Sequence, residues 1–228
     1  VNFRNKKLDE SNRSDNLGVD ITTYIGKKKS SISSSNLLKD KIVWVAASTH
    51  EGEEELVVEA QQILHEIDKN YLLILVPRHP NRSELILKNT AFYSTFTKTR
   101  SKKQKIAKDT SIYLADTLGE LGLWFMLSKI VFLGGSLVNI GGHNPYEPCR
   151  FGCAIITGAY VHNFKKAFDQ LSKKNAVKYV KSVEELVETI KILSNHSKAN
   201  NMGQRGLKYV NSLNDETFRI ASTINTFL

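Results

Sequence analysis

The sequence predicts an α/β fold, a Rossmann-like doubly wound parallel sheet with helices on both faces. Three observations carry that expectation. Short apolar runs such as "KIVWVAAS" and "YLLILVPR" alternate along the chain with segments of helical period, the pattern of βαβ units. These runs are apolar at nearly every position, as strands covered on both faces are. Polar stretches carrying glycine or proline follow them, where such sheets place their ligand loops.

The elements follow in order. "KIVWVAAS" precedes "EEELVVEAQQILHEIDK", in which Leu56, Val57, Ala60, Ile63, Leu64 and Ile67 fall on one helical face. "YLLILVPR" is the next strand, with "NRSELILKN" as its helix. "TSIYLADT" and "SKIVFLGG" repeat the strand signal around the helix "GELGLWFML". "CAIITG" leads to the helix "HNFKKAFDQL", and "AVKYVK" to "VEELVETIKIL", where Val183, Leu186, Val187, Ile190 and Leu193 share a face. Residues 200–228 read as a further helix, and there is no internal repeat.

Composition narrows the function classes. With 228 residues, 41% of them hydrophobic, the chain buries a real core and fits one large or two small domains. Cys149 and Cys153 lack the second pair a zinc site needs, so they read as buried thiols of a reducing compartment. No apolar run approaches the ~20 residues of a membrane span, and no signal-peptide pattern opens the chain. The expectation is a soluble piece of a longer protein, since the first residue is Val1 and residues 1–38 are polar, charged and serine-rich, as a linker or domain edge is. Residues 39–228 form the expected domain. A net charge of +9 calls for an anionic partner. Lys98, Arg100, Lys102, Lys103, Lys105 and Lys108 read as a solvated basic loop, with a phosphate or membrane contact as the alternative. Nucleic acid is disfavoured, because no stacking aromatics are interleaved with those charges.

The polar loops gather unusual residues. Ser48, Thr49, His50, Glu51 and Gly52 follow the first strand, and Pro77, Arg78, His79 and Pro80 the second. Asp116, Thr117, Gly119 and Glu120 follow the third, and "GGSLVNIGGHNPYEP", with four glycines, the fourth. Glycines let backbone approach a ligand, and N–H groups at a helix start hold anions. Each signal has a plainer alternative: a strand-end turn at Gly134 and Gly135, a solvated Arg78, a dipole partner in Glu147, and hydrogen-bonding rather than metal-ligating roles for His50, His79 and His143. In the last loop Asn144 fits an N-cap and Pro145 a first helical position. A carboxylate at Glu147 beside a phosphate needs a compensating partner, and a ribose diol supplies one.

Four ordered stretches, "WVAASTHEGEEE", "LILVPRHPNR", "LADTLGELG" and "FLGGSLVNIGGHNPYEP", resemble the C-terminal domain of the 3-deoxy-D-manno-octulosonic acid (Kdo) transferase family over roughly residues 16–228. The resemblance implies the donor half of a GT-B glycosyltransferase, two Rossmann-like domains facing across a cleft. It implies inverting transfer from CMP-Kdo to a lipid A precursor in lipopolysaccharide biosynthesis, with no metal and no cofactor, at the cytoplasmic face of the bacterial inner membrane. The catalytic base is then expected on an N-terminal domain outside this sequence, leaving no catalytic residue here. Donor-binding roles fall on Pro77, Arg78, Leu118, Gly119, Glu120, Gly135, Ser136, Asn144 and Glu147, with Ser48, Thr49, His79 and His143 as further candidates. Arg78 and the helix start at 144–147 would face phosphate. Gly119 and Glu120 would lie along cytidine and phosphate, and Gly135 and Ser136 against phosphate or the Kdo carboxylate. The implied partners are CMP-Kdo, the acceptor lipid and an anionic membrane surface, and not nucleic acid. The serine- and lysine-rich insert from Lys27 to Ser35 lies outside the resemblance. Two rivals stand beside it: a non-catalytic nucleotide-binding module, and a GT-B transferase using a uridine nucleotide sugar.

Overall fold

The computed structural model describes residues 18–25, 28–35, 38–91 and 96–225. Two strands, β1 (Gly18–Ile25) and β2 (Lys28–Ser35), pair antiparallel as a separate ribbon. This ribbon lies inside the segment read as linker and takes in most of the Lys27 to Ser35 insert. β2 is serine- and lysine-rich with no apolar period to announce it, whereas β1 carries apolar residues at Val19, Ile21 and Ile25.

The main sheet contains β3 (Ile42–Thr49), β4 (Tyr71–Pro77), β5 (Thr97–Thr99), β6 (Ile112–Leu114), β7 (Ile130–Leu133), β8 (Ala154–Thr157) and β9 (Val177–Tyr179). Its order is β5-β6-β4-β3-β7-β8-β9, parallel throughout. From β3 the chain first works outward through β4 and β6, then returns to β3's other side with β7 and continues to β8 and β9. The order therefore reverses between β3 and β7, and doubly wound sheets open their ligand crevice at that point. β5 was not foreseen, since "TKT" is polar and three residues long. It corrects the reading of the basic stretch as loop throughout, because Lys98 pairs opposite Tyr113 at the sheet edge.

Helices α1 (Glu54–Ile67), α2 (Ser83–Thr90), α3 (Leu121–Leu127), α4 (Tyr146–Arg150), α5 (Lys165–Lys173), α6 (Val183–Leu193) and α7 (His196–Asn225) complete the layers. Successive strand side chains alternate between faces. Trp44, Ala46, Leu73, Leu75, Phe132 and Ile156 join α1 and α6 in one core. Val45, Ala47, Leu72, Ile74, Val131 and Ile155 join α3 and α5 in the other. All five α6 positions expected on one face are buried. On α1, however, Ile67 is 58% exposed, because the inward face of this helix also carries Glu54, Val58 and Gln61 and has rotated away from Ile67 by the last turn.

Gln61 explains part of that rotation. Its Oε1 accepts from Trp44 Nε1 at 2.7 Å, and its Nε2 donates to the carbonyls of Tyr71 at 2.9 Å and Ser111 at 3.0 Å. One buried amide thus satisfies polar groups from three neighbouring strands or strand ends. Replacing it by leucine leaves the Trp44 Nε1–H without its acceptor, though the Ser111 carbonyl keeps Leu73 N–H, so Gln61→Leu is expected to cost ~1–3 kcal/mol, read as a lowered urea midpoint at unchanged slope. Gln62→Leu, which loses only a surface bond to Glu66, is expected to stay within ~0.5 kcal/mol. Equal losses for the two would remove the buried amide from the list of stabilising contacts.

Candidate functional site

The two strands at the reversal point end in close contact. β3 carries a bulge between Ala47 and Thr49, with Ser48 at φ 57°. A non-glycine residue in this left-handed region is strained by ~1–2 kcal/mol, a feature that clusters at functional sites. Gly134 follows β7 directly opposite. A Cβ there would lie 2.7 Å from the Ser48 carbonyl oxygen and 2.8 Å from Thr49 Cα, so only glycine admits this approach.

The chain then wraps around one side chain. Glu53 immediately precedes α1 and is fully buried. Its Oε2 accepts from the N–H groups of His50 at 3.0 Å and Gly135 at 2.6 Å. Its Oε1 accepts from Ser136 and Leu137, both at 2.9 Å. The glycine-rich loop is an anion-binding loop whose anion is the protein's own. The N–H groups of Gly135 and Ser136, residues expected against phosphate or the Kdo carboxylate, are bound to Glu53. Ser136 is also fully buried, and its hydroxyl donates to the Leu133 carbonyl at 2.7 Å while accepting from Gly158 N–H at 2.8 Å.

Above this clamp lies a cluster of imidazoles. His50 Nε2 and His143 Nε2 are 2.9 Å apart with the rings nearly parallel, and the His79 ring meets His50 edge-on at 5.6 Å. The facing nitrogens of His50 and His143 are taken up by each other, and no group of three or more His, Cys, Asp and Glu among the described residues is placed to hold a metal. Burial, followed by the positive charges of His50, Arg78 and His79, pushes the His143 imidazole down to about 4. Burial also holds His50 below its ordinary value, against the pull of Glu53. Two arginines flank the group and differ. Arg82 is engaged by Glu54 at 3.1 Å and Glu51 at 3.8 Å. Arg78, exposed just beyond Pro77 at the end of β4, has no ion-pair partner among the described residues; only its backbone N–H is held, by the Thr49 carbonyl at 2.9 Å. Thr49 itself is fully buried with its hydroxyl unpartnered.

The loop after β6 divides. Leu118 is 72% exposed and Gly119 sits at φ 83°. Glu120, expected along the cytidine and phosphate, is buried. Both its oxygens are held by Arg100, at 3.0 and 2.7 Å, and Thr117 donates to it as well. Arg100 is accordingly no solvated loop charge; it pairs with Glu120 and lies over the Trp124 ring at 5.8 Å. Asp116 ties the same turn down by accepting from Ser101 N–H and Oγ. Outside this turn, Pro80, Ser83, Leu87, Thr99, Thr117 and Leu118 line part of a cleft of about 560 Å³.

In the last loop, Gly142 N–H donates to the Gly135 carbonyl at 2.7 Å. Asn144 Oδ1 accepts from Tyr146 N–H at 3.0 Å, so its side chain caps as expected, although α4 starts at Tyr146 with Pro145 as its cap residue. Glu147 is in the first turn and reaches solvent. Enough protein still surrounds its carboxyl that desolvation raises its pKa, with Arg150 opposing. The structure therefore gathers Ser48, Thr49, His50, Pro77, Arg78, His79 and His143 around the reversal point, and withdraws Gly135 N–H, Ser136 and the Glu120 carboxylate into internal bonds. Sequence reasoning missed Glu53. The run "EGEEE" reads as dipole-favouring charge at a helix start, and no period distinguishes its one inward member.

Removing that member is expected to be costly. Glu53→Ala leaves four N–H groups, two of them buried, without their acceptor and is expected to lose more than the ~1–3 kcal/mol of a single unsatisfied group. Glu53→Gln keeps one acceptor oxygen but turns an NH2 toward donors, for ~1–3 kcal/mol. Chemical unfolding measures both, and a neutral Glu53→Gln would contradict the clamp.

No protein-family model matches the chain. It is 39% identical over 153 residues to the 3-deoxy-D-manno-octulosonic acid transferase of Haemophilus influenzae, covering 66% of this chain and 35% of that protein. It is 33% identical over 177 residues to a probable mitochondrial 3-deoxy-D-manno-octulosonic acid transferase of Arabidopsis thaliana, covering 76% and 40%. The chain thus matches well under half the length of these relatives. Among solved structures it is similar to the C-terminal CMP-Kdo binding domain of WaaA from Acinetobacter baumannii, at 32% identity and a TM-score of 0.71 over 75% of this chain and 90% of that one.

Proposed function

The chain belongs to the 3-deoxy-D-manno-octulosonic acid transferase family, and we propose that it is the donor half of such an enzyme, binding CMP-Kdo for transfer of Kdo to a lipid A precursor. The observation that carries the reading is the exposed Arg78 near the reversal point of the sheet, without an ion-pair partner among the described residues. Its neighbour Arg82 is already neutralised by two carboxylates. A planar guanidinium held at a strand end suits the phosphate of a departing CMP, where charge develops as the bond to the sugar breaks. Pro77 fixes the strand end behind Arg78, and Leu118 and Gly119 offer exposed surface for the cytidine. In this reading Glu147 accepts hydrogen bonds from the ribose hydroxyls, with Asn144 fixing the turn that presents it. No metal or cofactor takes part, and the base comes from another domain of the whole enzyme. The acceptor lipid and an anionic membrane at the cytoplasmic face belong to that whole enzyme too. No helix among the described residues is long and apolar enough to cross a membrane. The net positive charge suits these anionic partners.

Titration calorimetry tests the reading. CMP is expected to bind in preference to UMP and UDP, and a preference for a uridine nucleotide would overturn the assignment. Arg78→Ala is expected to weaken CMP roughly ten- to a hundredfold, the worth of a hydrogen bond to a charged group, and to leave cytidine nearly unchanged. Arg78→Lys is expected to recover part of the loss, since it keeps the charge without the planar fork. Equal losses for CMP and cytidine would place Arg78 away from the phosphate. For Glu147→Gln the expected outcome is a reduced preference for CMP over its 2′-deoxy analogue, whereas a full ribose preference would leave Glu147 a purely structural role.

A further inference from the structure

Two imidazole nitrogens 2.9 Å apart share one proton: one ring donates and the other accepts. A second proton would settle on the outer nitrogen of the donating ring, leaving an imidazolium still hydrogen-bonded to its partner. His50 and His143 are held in this arrangement by their surroundings. The His50 backbone N–H is fixed by Glu53, and Gly135 lies beneath both rings, where a Cβ would come within 3.2 Å of His143 and 3.4 Å of His50. The charged groups around the pair are unbalanced. Glu53 is the acidic neighbour, with its oxygens already committed to four N–H groups, while Arg78, Arg82 and His79 supply positive charge. What disfavours a second proton is burial together with these cations. An anion would reverse the second of those causes.

We propose that the His50–His143 pair is a proton-coupled anion receptor: an anionic oxygen seated against Arg78 draws one proton onto the pair, the facing bond persists between imidazolium and imidazole, and the charged pair holds the anion beside Arg78. The pair then completes the donor site as two specificity-determining residues, favouring ligands that bring negative charge beyond the nucleoside. This inference rests on the reading that Arg78 faces the donor. The anionic oxygen can come from the phosphate diester or from the sugar carboxylate of a CMP-linked acidic sugar, and the chemistry is the same.

The test is titration calorimetry of the full chain at pH 6 in buffers of differing ionisation enthalpy, which counts protons taken up on binding. Cytidine 5′-methylphosphate is the main probe, because its single phosphate proton is lost far below this pH. Cytidine is the uncharged control and CMP-Kdo the arm that adds a carboxylate. Net uptake is expected with the methylphosphate, or with CMP-Kdo alone if the carboxylate is the source, and none with cytidine. Affinity for the charged ligand is expected to rise as pH falls from 7.5 to 6, by up to about tenfold per pH unit, the limit for one linked proton. His143→Gln, which hydrogen-bonds but does not titrate, is expected to abolish both uptake and pH dependence. In the unmutated chain, the His143 ring resonances followed by NMR are expected to titrate at higher pH with the methylphosphate than without, a readout independent of how well the variant folds. Binding without proton uptake, or uptake unchanged in His143→Gln, overturns the receptor while leaving the donor reading intact. Absence of any cytidine-nucleotide binding overturns both.

Discussion

The arrangement at the heart of this molecule depends on one buried carboxylate. Glu53 accepts four backbone N–H groups, one from the loop after β3 and three from the loop after β7. A charge taken out of water is tolerated only when it is fully hydrogen-bonded, and N–H groups at a parallel strand end are tolerated only when they find acceptors. Each requirement answers the other. The clamp joins the two strands between which the sheet reverses its order, so it fixes the floor of the crevice that a doubly wound sheet opens at that point. The close approach of Gly134 to Ser48 and the strained backbone of Ser48 follow from the same junction.

The clamp also determines where an external anion can bind. With the glycine-loop donors taken, the groups left to meet an anion are side chains set above it: the Arg78 guanidinium and the imidazoles of His79 and the His50–His143 pair. Acidic residues near the crevice are largely assigned, Glu54 to Arg82 and Glu120 to Arg100. Burial still lifts Glu54 to about 7 against the pull of Arg82, so this partner is poorly solvated and hard to redirect. Arg78 is exposed and has no carboxylate partner among the described residues. Selection of one arginine from two adjacent candidates therefore comes from which carboxylates the helix start turns inward.

Strands and helices were legible because burial on both faces of the sheet forces apolar runs and helical stripes onto the sequence, as in "YLLILVPR" and the five inward positions of α6. β5 and the β1–β2 ribbon were not, since backbone pairing needs no apolar side chain. Ile67 was misplaced because a stripe counted from apolar residues omits the polar Gln61 and Glu54 that share the interior. Within the site, position was legible and orientation was not. The sequence brought Arg78, His79, Glu120 and the glycine loop to one edge, but nothing in residue type separates Glu120 facing Arg100 from Glu120 facing a ligand. The three histidines likewise converge as expected of loops at one edge, while the bond between His50 and His143 depends on the fold of loops 93 residues apart.

Native-state hydrogen exchange on the full chain tests the clamp most directly. If one carboxylate holds the junction, the amides of His50, Gly135, Ser136 and Leu137 exchange slowly and as a single unit. In Glu53→Gln they are expected to lose protection together, while the central strand amides of Val45 and Val131 remain protected. Independent exchange of the four amides in the unmutated chain, or full protection surviving in Glu53→Gln, would contradict a junction built on Glu53.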